Sequence, residues 1–203
     1  MRLFAPHIRL GFPLYIDGFK VHAPTNPWYI YREIFYEKHY HFDLPQRPVI
    51  YDVGANIGLA TLYFKHIRPD AIVHCFEPNP SALDALEKNV THLSDVHIHP
   101  VAISDREGTA SFQSNIPASG KARIGVGDIT VPTQQLDFEY VDLLKIDVEG
   151  AEYQIIPDLA ARGLLKKIAR LAIEIHGDPE PILAHLTHFT LVSRIGKVWK
   201  FVA

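Results

Sequence analysis

The chain has 203 residues, 47% hydrophobic and 21% charged, which is enough apolar material for one sizeable core and a length ordinary for a single domain. Twenty basic and 23 acidic side chains leave a formal charge of -3 with no run of like charge, which excludes the basic footprint of a nucleic-acid binder. The lone Cys75 excludes a disulfide framework and reads as a small core hydrophobe in a reducing compartment.

In chain order, Leu14 to Ile16 and Phe19 to Val21 form a hairpin pattern closed by Asp17-Gly18, a dipeptide that tolerates positive φ in a two-residue turn. Pro6, His7, Arg9, Pro13 and Asp17 break the stretch from Met1 to Lys20, so neither a signal peptide nor a membrane span is expected there, and the cytoplasm is the expected location. A helix follows, with Asn26 as its cap, Pro27 at its first position and an apolar stripe of Trp28, Tyr31, Ile34 and Phe35. Residues 1–48 therefore form a hairpin-and-helix cap, part of the same domain as residues 49–203.

From Val49 the pattern alternates strand and helix, which predicts a parallel sheet covered on both faces. The strands are Val49 to Val53, Ile72 to Phe76, Val96 to Val101 and Val141 to Ile146. Helices are expected with Ile57, Ala60, Phe64 and Ile67 on one inner face, ended by Pro69, and Leu83, Leu86 and Val90 on another, begun by Asn79-Pro80. Gly108 to Ser114 reads as an added strand, and the Gly-, Pro-, Ser- and Thr-rich stretch on to Gln135 as a functional loop. Gly150 to Ala161 is expected to be helical with an interruption at Pro157, and Gly163 stops it. Ala169 to Ile175 is a buried strand, Ile182 to Leu186 a helix, and Thr190 to Ile195 with Val198 to Val202 a closing hairpin.

The chemistry concentrates where strands end. Val49 to Val53 runs through Asp52 into Gly54-Ala55-Asn56-Ile57-Gly58, a glycine-spaced turn opening a helix whose first N–H groups can hold a carboxylate or phosphate. A dinucleotide fold asks for G-x-G-x-x-G here. A carboxylate on the lip of the turn would repel a pyrophosphate and suit a cationic ligand, and S-adenosyl-L-methionine carries an ammonium and a sulfonium. The next strand ends in Phe76-Glu77-Pro78, an acid about 20 residues on that can accept from ribose hydroxyls. Ala102 with Ser104 or Asp105 could border an adenine edge. In Leu144-Lys145-Ile146-Asp147-Val148-Glu149 two charges share one face of a buried strand, so they pair with each other or act on a ligand. Glu174 and His176 end the fifth strand on one face, and His176 is a candidate base. His39/His41 and His97/His99 lack convincing partner ligands, and no metal is expected from them.

Asp52-Val53-Gly54-Ala55-Asn56-Ile57-Gly58, Phe76-Glu77-Pro78-Asn79-Pro80 and Leu144-Lys145-Ile146-Asp147-Val148-Glu149-Gly150-Ala151-Glu152 together resemble the FkbM family of S-adenosylmethionine-dependent methyltransferases. The match spans about Val49 to Gly177, with Leu136-Asp137 and Glu174-x-His176 in accord. Gln134-Gln135-Leu136 departs from the family's Thr-Leu-Asp lead, and the C-terminus is short and poor in acids. The resemblance implies an α/β fold of class I methyltransferase (Rossmann-like) type, a mostly parallel seven-stranded sheet with helices on both faces and a C-terminal antiparallel hairpin. It also implies O-methylation of a hydroxyl on a small metabolite, glycan or natural product. Asp52, Gly54, Asn56, Gly58, Glu77, Pro78, Ala102 and Asp147 are then the cofactor candidates, and Asp147, His176 and Lys145 the catalytic ones, with no nucleic acid or membrane partner. Rival readings are an RNA 2′-O-methyltransferase, a non-catalytic module that keeps the cofactor pocket, and an NAD-dependent oxidoreductase, which Asp52 disfavours.

Overall fold

The computed structural model describes residues 14–16, 19–112 and 127–203. Seven strands form one sheet, and their hydrogen-bonded order gives the strand that leads into the glycine-turn motif a neighbour on each side. That strand is β3 (Val49–Val53), which pairs in parallel with β4 (Ile72–Phe76), itself parallel to β5 (Val96–His99). On its other side β3 pairs in parallel with β9 (Leu143–Ile146), then β10 (Arg170–Glu174) follows in parallel. The hairpin β11 (Thr190–Ile195) and β12 (Val198–Val202) closes the sheet, with β12 antiparallel to β10 and β11. A mostly parallel seven-stranded sheet ending in an antiparallel hairpin is the expected architecture, and among the described helices none is long and apolar enough to cross a membrane.

Side-chain alternation sorts the sheet into two faces. Ile50, Val73, Cys75 and Leu143 pack under α2 (Leu59–Ile67) and α3 (Pro80–Val90). The same cluster takes in Val21 from the first hairpin, β1 (Leu14–Ile16) with β2 (Phe19–Val21), and Tyr31 and Ile34 from the front helix. Val53, Leu144, Ile146, Leu171 and Ile173 pack on the other face against α4 (Glu152–Ala161) and α5 (Glu180–Leu183). Asn79 caps α3 as expected, its Oδ1 accepting the Ser81 N–H at 3.0 Å ahead of Pro80.

Several expectations need correction. The front helix α1 (Trp28–Tyr31) continues as a π-helical segment over Arg32–Tyr36, and Pro27 stands at its cap rather than its first position, while Asn26 Oδ1 accepts from the Trp28 N–H. The third strand stops at His99, because the chain turns off to form a separate sheet of β6 (Ala102–Ile103), β7 (Gly108–Phe112) and β8 (Ile129–Gln134). β8 lies within the stretch read as a loop. Pro132 hides it, yet Val131 and Thr133 alternate inward on either side of that proline. The Asp17-Gly18 turn and residues 113–126 lie outside the described residues. Helix α4 runs unbroken through Pro157, with Ile155, Ile156 and Leu159 buried on its inner face.

Both glycines of the turn have positive φ, and the space each vacates is filled by protein. A Cβ on Gly54 (φ +78°) would lie 1.8 Å from the Asp147 carbonyl oxygen, so the turn after β3 can cross the end of β9 only without a side chain. At Gly58 (φ +84°) it would lie 2.6 Å from a Leu86 methyl, so this glycine lets α3 approach. Gly163 (φ +70°) has nothing within 4 Å of such a Cβ. Chemical denaturation should therefore show Gly163→Ala losing only the left-handed backbone penalty, about 1–2 kcal/mol. Gly54→Ala should lose several-fold more, and equal losses would contradict this account of the turn.

Candidate active site

The strands reach outward from β3 through β4 and β5, then return to the other side of β3 at β9, so the sheet's topological switch lies between β3 and β9. Open parallel sheets bind ligands outside the strand ends at such a point. A cleft of about 610 Å³ opens there. Its floor includes Gly54, Asn56, Lys145 and Asp147, its far wall Glu149 and Glu174, and the front helix roofs it with Tyr29 and Glu33.

Asp52 is not on the lip of this cleft. It is fully buried beneath α2, where Oδ2 accepts the Thr61 hydroxyl at 2.8 Å and Oδ1 lies 2.9 Å from Lys145 Nζ. The cause is register, since Asp52 stands directly beside Lys145 on the adjoining strand. Lys145 thus pairs across the sheet rather than with Asp147 or Glu149, and it also donates to the Gly54 carbonyl at 2.7 Å. Burial pulls its ammonium pKa down, but the carboxylates of Asp52 and Asp147 outweigh that and raise it, so Lys145 stays charged. It is a brace for the glycine turn and lines the cleft from below.

Asp147 does line the cleft, with Glu33, Glu149 and Glu174. The Tyr40 hydroxyl donates to its Oδ2 at 3.0 Å, and burial raises its pKa against the opposing pull of Lys145. His176 is reached by three carboxylates. Its Nδ1 lies 3.2 Å from Glu152 Oε1, and its Nε2 lies 3.4 Å from Glu174 and 3.5 Å from Glu149. Burial lowers the imidazolium pKa, but hydrogen bonds to Glu152 and Glu174 overcompensate and raise it to about 10. A carboxylate-held imidazolium at neutral pH has no free lone pair with which to take a proton, which weighs against a base at this position.

Glu77 is buried, its Oε2 accepting the Asn56 N–H and its Oε1 the Asn79 N–H, both at 2.8 Å. It therefore ties the glycine turn to the end of β4, and each oxygen keeps a lone pair for a further donor. Asn56 adopts φ +51°, a left-handed conformation that asparagine tolerates better than most residues. Glu77, Pro78 and Ala102 lie outside the described lining of the cleft. Ala102 pairs with Thr133 in the small sheet, Ser104 is buried, and Asp105 bonds both Ser104 and Arg106. Of the histidine pairs, His39 meets Glu37 and His41 meets the Tyr63 hydroxyl, while His97 and His99 stack on His74. Sequence reasoning missed Tyr40, whose only signal is its distant partner, and gave no role to Glu152, although it stands inside the third motif block.

The fold and its strand-end cleft define an α/β domain of the class I methyltransferase type. Residues 52–192 match the Methyltransferase FkbM domain, and the chain belongs to that family. It is 31% identical over 173 residues to methyltransferase sdnD of Sordaria araneosa, covering 63% of this chain and 67% of that protein. It is 33% identical over 136 residues to the 2-O-methyltransferase NoeI of Sinorhizobium fredii, covering 54% of this chain and 56% of that one. A crystal structure of Methyltransferase FkbM from Methylobacillus flagellatus superposes with a TM-score of 0.57 at 14% identity, covering 84% of this chain and 47% of that chain, a likeness of fold.

Removing one partner of a buried ion pair strands the other charge and costs about 3–5 kcal/mol. Asp52→Asn and Lys145→Met should each be destabilised by that order in urea. The double variant should be less destabilised than the sum, and simple additivity would argue against the pairing.

Proposed function

We propose that this chain transfers a methyl group from S-adenosylmethionine to a hydroxyl oxygen of a small metabolite or glycan. The observation that carries the reading is the anionic cleft at the switch point, which the carboxylates of Asp147, Glu149 and Glu174 line together with the first turn of α2. That turn has no side-chain cap, and Leu59 and Ala60 line the cleft, so their N–H groups suit the carboxylate of an amino acid. Carboxylates facing backbone donors match a ligand that carries a cationic sulfur beside an α-amino acid group. The names of NoeI, a 2-O-methyltransferase, and of the 31-O-demethyl-FK506 methyltransferase FkbM of Streptomyces tacrolimicus support oxygen as the accepting atom.

In this reading Gly54 to Gly58 and the α2 N-terminus hold the amino-acid portion, and Glu77 accepts from ribose. Pro78, Ala102 and Ser104 or Asp105 border the adenine. When bound, the cofactor supplies an electrophilic methyl on a sulfonium. The protein then has to align the acceptor oxygen with that methyl and exclude water, which is chiefly positioning. Asp147, held by Tyr40 and raised by burial, receives the acceptor proton. His176 stays protonated and offsets the surrounding carboxylates, and Lys145 fixes the turn.

Calorimetry should give saturable binding of S-adenosylhomocysteine, with no binding of NADH. Absence of S-adenosylhomocysteine binding by folded protein would overturn the reading. Burial pushes the Glu77 carboxyl up to about 7 against its two backbone donors and Lys145, with Asp52 reinforcing the rise. Ribose hydroxyls donate to the ionised form, so affinity should fall as pH drops from 8 to 6, and Glu77→Gln should flatten that slope. On a proven acceptor Asp147→Asn should lower kcat by 10²-fold or more, whereas unaltered kcat would remove Asp147 as the base.

A further inference from the structure

We propose that Asp147, Glu149 and His176 form a binding site for a divalent cation of the Mn²⁺ class, which holds the acceptor hydroxyl. The site adds to the methyl-transfer reading. Only the cation's hold on the acceptor rests on that reading, and ion binding itself does not.

One ligand atom from each of the three residues lies within 4.8 Å of the others, and Asp147 and Glu149 line the cleft. They come from the end of β9, the turn beyond it and the end of β10, three segments fixed by the sheet. Bonds of about 2.0–2.2 Å to a central ion need only small inward shifts from that spacing. The His176 side chain is 6% exposed, and Glu152, itself fully buried, accepts both its main-chain N–H at 2.8 Å and its ring Nδ1–H at 3.2 Å. The other Glu152 oxygen accepts the Gly150 N–H at 2.7 Å. Nδ1 is thus committed to Glu152, and Nε2 is aimed at the cluster. A carboxylate behind an imidazole whose far nitrogen faces other carboxylates is how proteins support metal-binding histidines.

Charge points independently to a cation. The carboxylates of Asp147, Glu149, Glu152 and Glu174 gather around one imidazole. Lys145 is taken up by Asp52, and the exposed Lys197 at the mouth offsets one more charge. Even with His176 protonated an excess of about two negative charges remains in a desolvated site, which is expensive without a counter-ion. Two carboxylates and one imidazole, which releases its Nε2 proton to solvent as the ion binds, suit a first-row divalent ion, and three protein ligands leave coordination positions for a hydroxyl oxygen. An ion there would acidify that hydroxyl and lessen the demand on Asp147 as its proton acceptor.

The test is electron paramagnetic resonance of free Mn²⁺ titrated into the full chain after chelator treatment, with parallel calorimetry of S-adenosylhomocysteine and a thermal melt. One Mn²⁺ per chain is expected. Affinity should fall at least tenfold in Glu149→Gln and in His176→Ala but hold in His188→Ala, whose side chain meets the Leu165 carbonyl. Glu149 is partly exposed, so Glu149→Gln decides if His176→Ala fails to fold. No Mn²⁺ bound by folded protein, or binding unchanged in Glu149→Gln, overturns the proposal. Retained S-adenosylhomocysteine binding in that case leaves the methyl-transfer reading standing. Mn²⁺ binding without S-adenosylhomocysteine binding does the reverse.

Discussion

The arrangement depends on one buried ion pair, Asp52 with Lys145, joining two adjacent parallel strands near their carboxyl ends. Taking both charges out of water is costly, and the structure offsets that with short contacts. Lys145 reaches Asp52 and the Gly54 carbonyl, and Asp52 also takes the Thr61 hydroxyl. A pair of this kind adds little net stability compared with apolar residues of the same volume, yet it fixes geometry. Here it locks the path of the glycine turn against β9. Gly54 cannot carry a side chain because the Asp147 carbonyl occupies that space, so the same crossing that needs glycine also presents Asp147 to the cleft.

From that brace the electrostatics divide into two tiers. Below, Asp52 and Lys145 neutralise each other and contribute shape. Above, Asp147, Glu149 and Glu174 face the cleft with His176 and Lys197 as the nearby cations, and the lining stays anionic. The anionic character that the sequence motif suggests for this end of the sheet is therefore present, but it is supplied by residues one and two strands away from Asp52. Glu77 and Glu152 play a third part, each using both carboxylate oxygens to pin backbone N–H groups where strands end.

Much of the fold is legible in the sequence because its signals are local. The Asn79-Pro80 cap, the apolar stripe of α3 and the Val-Ile-rich parallel strands declare themselves within a few residues. What the sequence hides depends on strand register. Period-two reasoning correctly puts Lys145 and Asp147 on one face, but which carboxylate wins Lys145 depends on β3 lying beside β9 with Asp52 opposite, a contact between residues 93 apart. Tyr40 and Asp147 meet across 107 positions and share no motif. His176 reads as a base from its residue type alone, and only the fold brings out the three carboxylates from separate elements that favour its protonated form. Strand β8 escapes notice because Pro132 argues against a strand, and β7 pairs with it all the same.

A crystal structure with S-adenosylhomocysteine tests the central claim most directly, because it shows which acid meets the ligand. The account predicts the amino-acid end of the ligand between the Gly54–Ala60 turn and Asp147, with Asp52 still bonded to Lys145 and out of its reach. A ligand seated elsewhere, or Asp52 swung out to contact it with Lys145 released, would contradict the account.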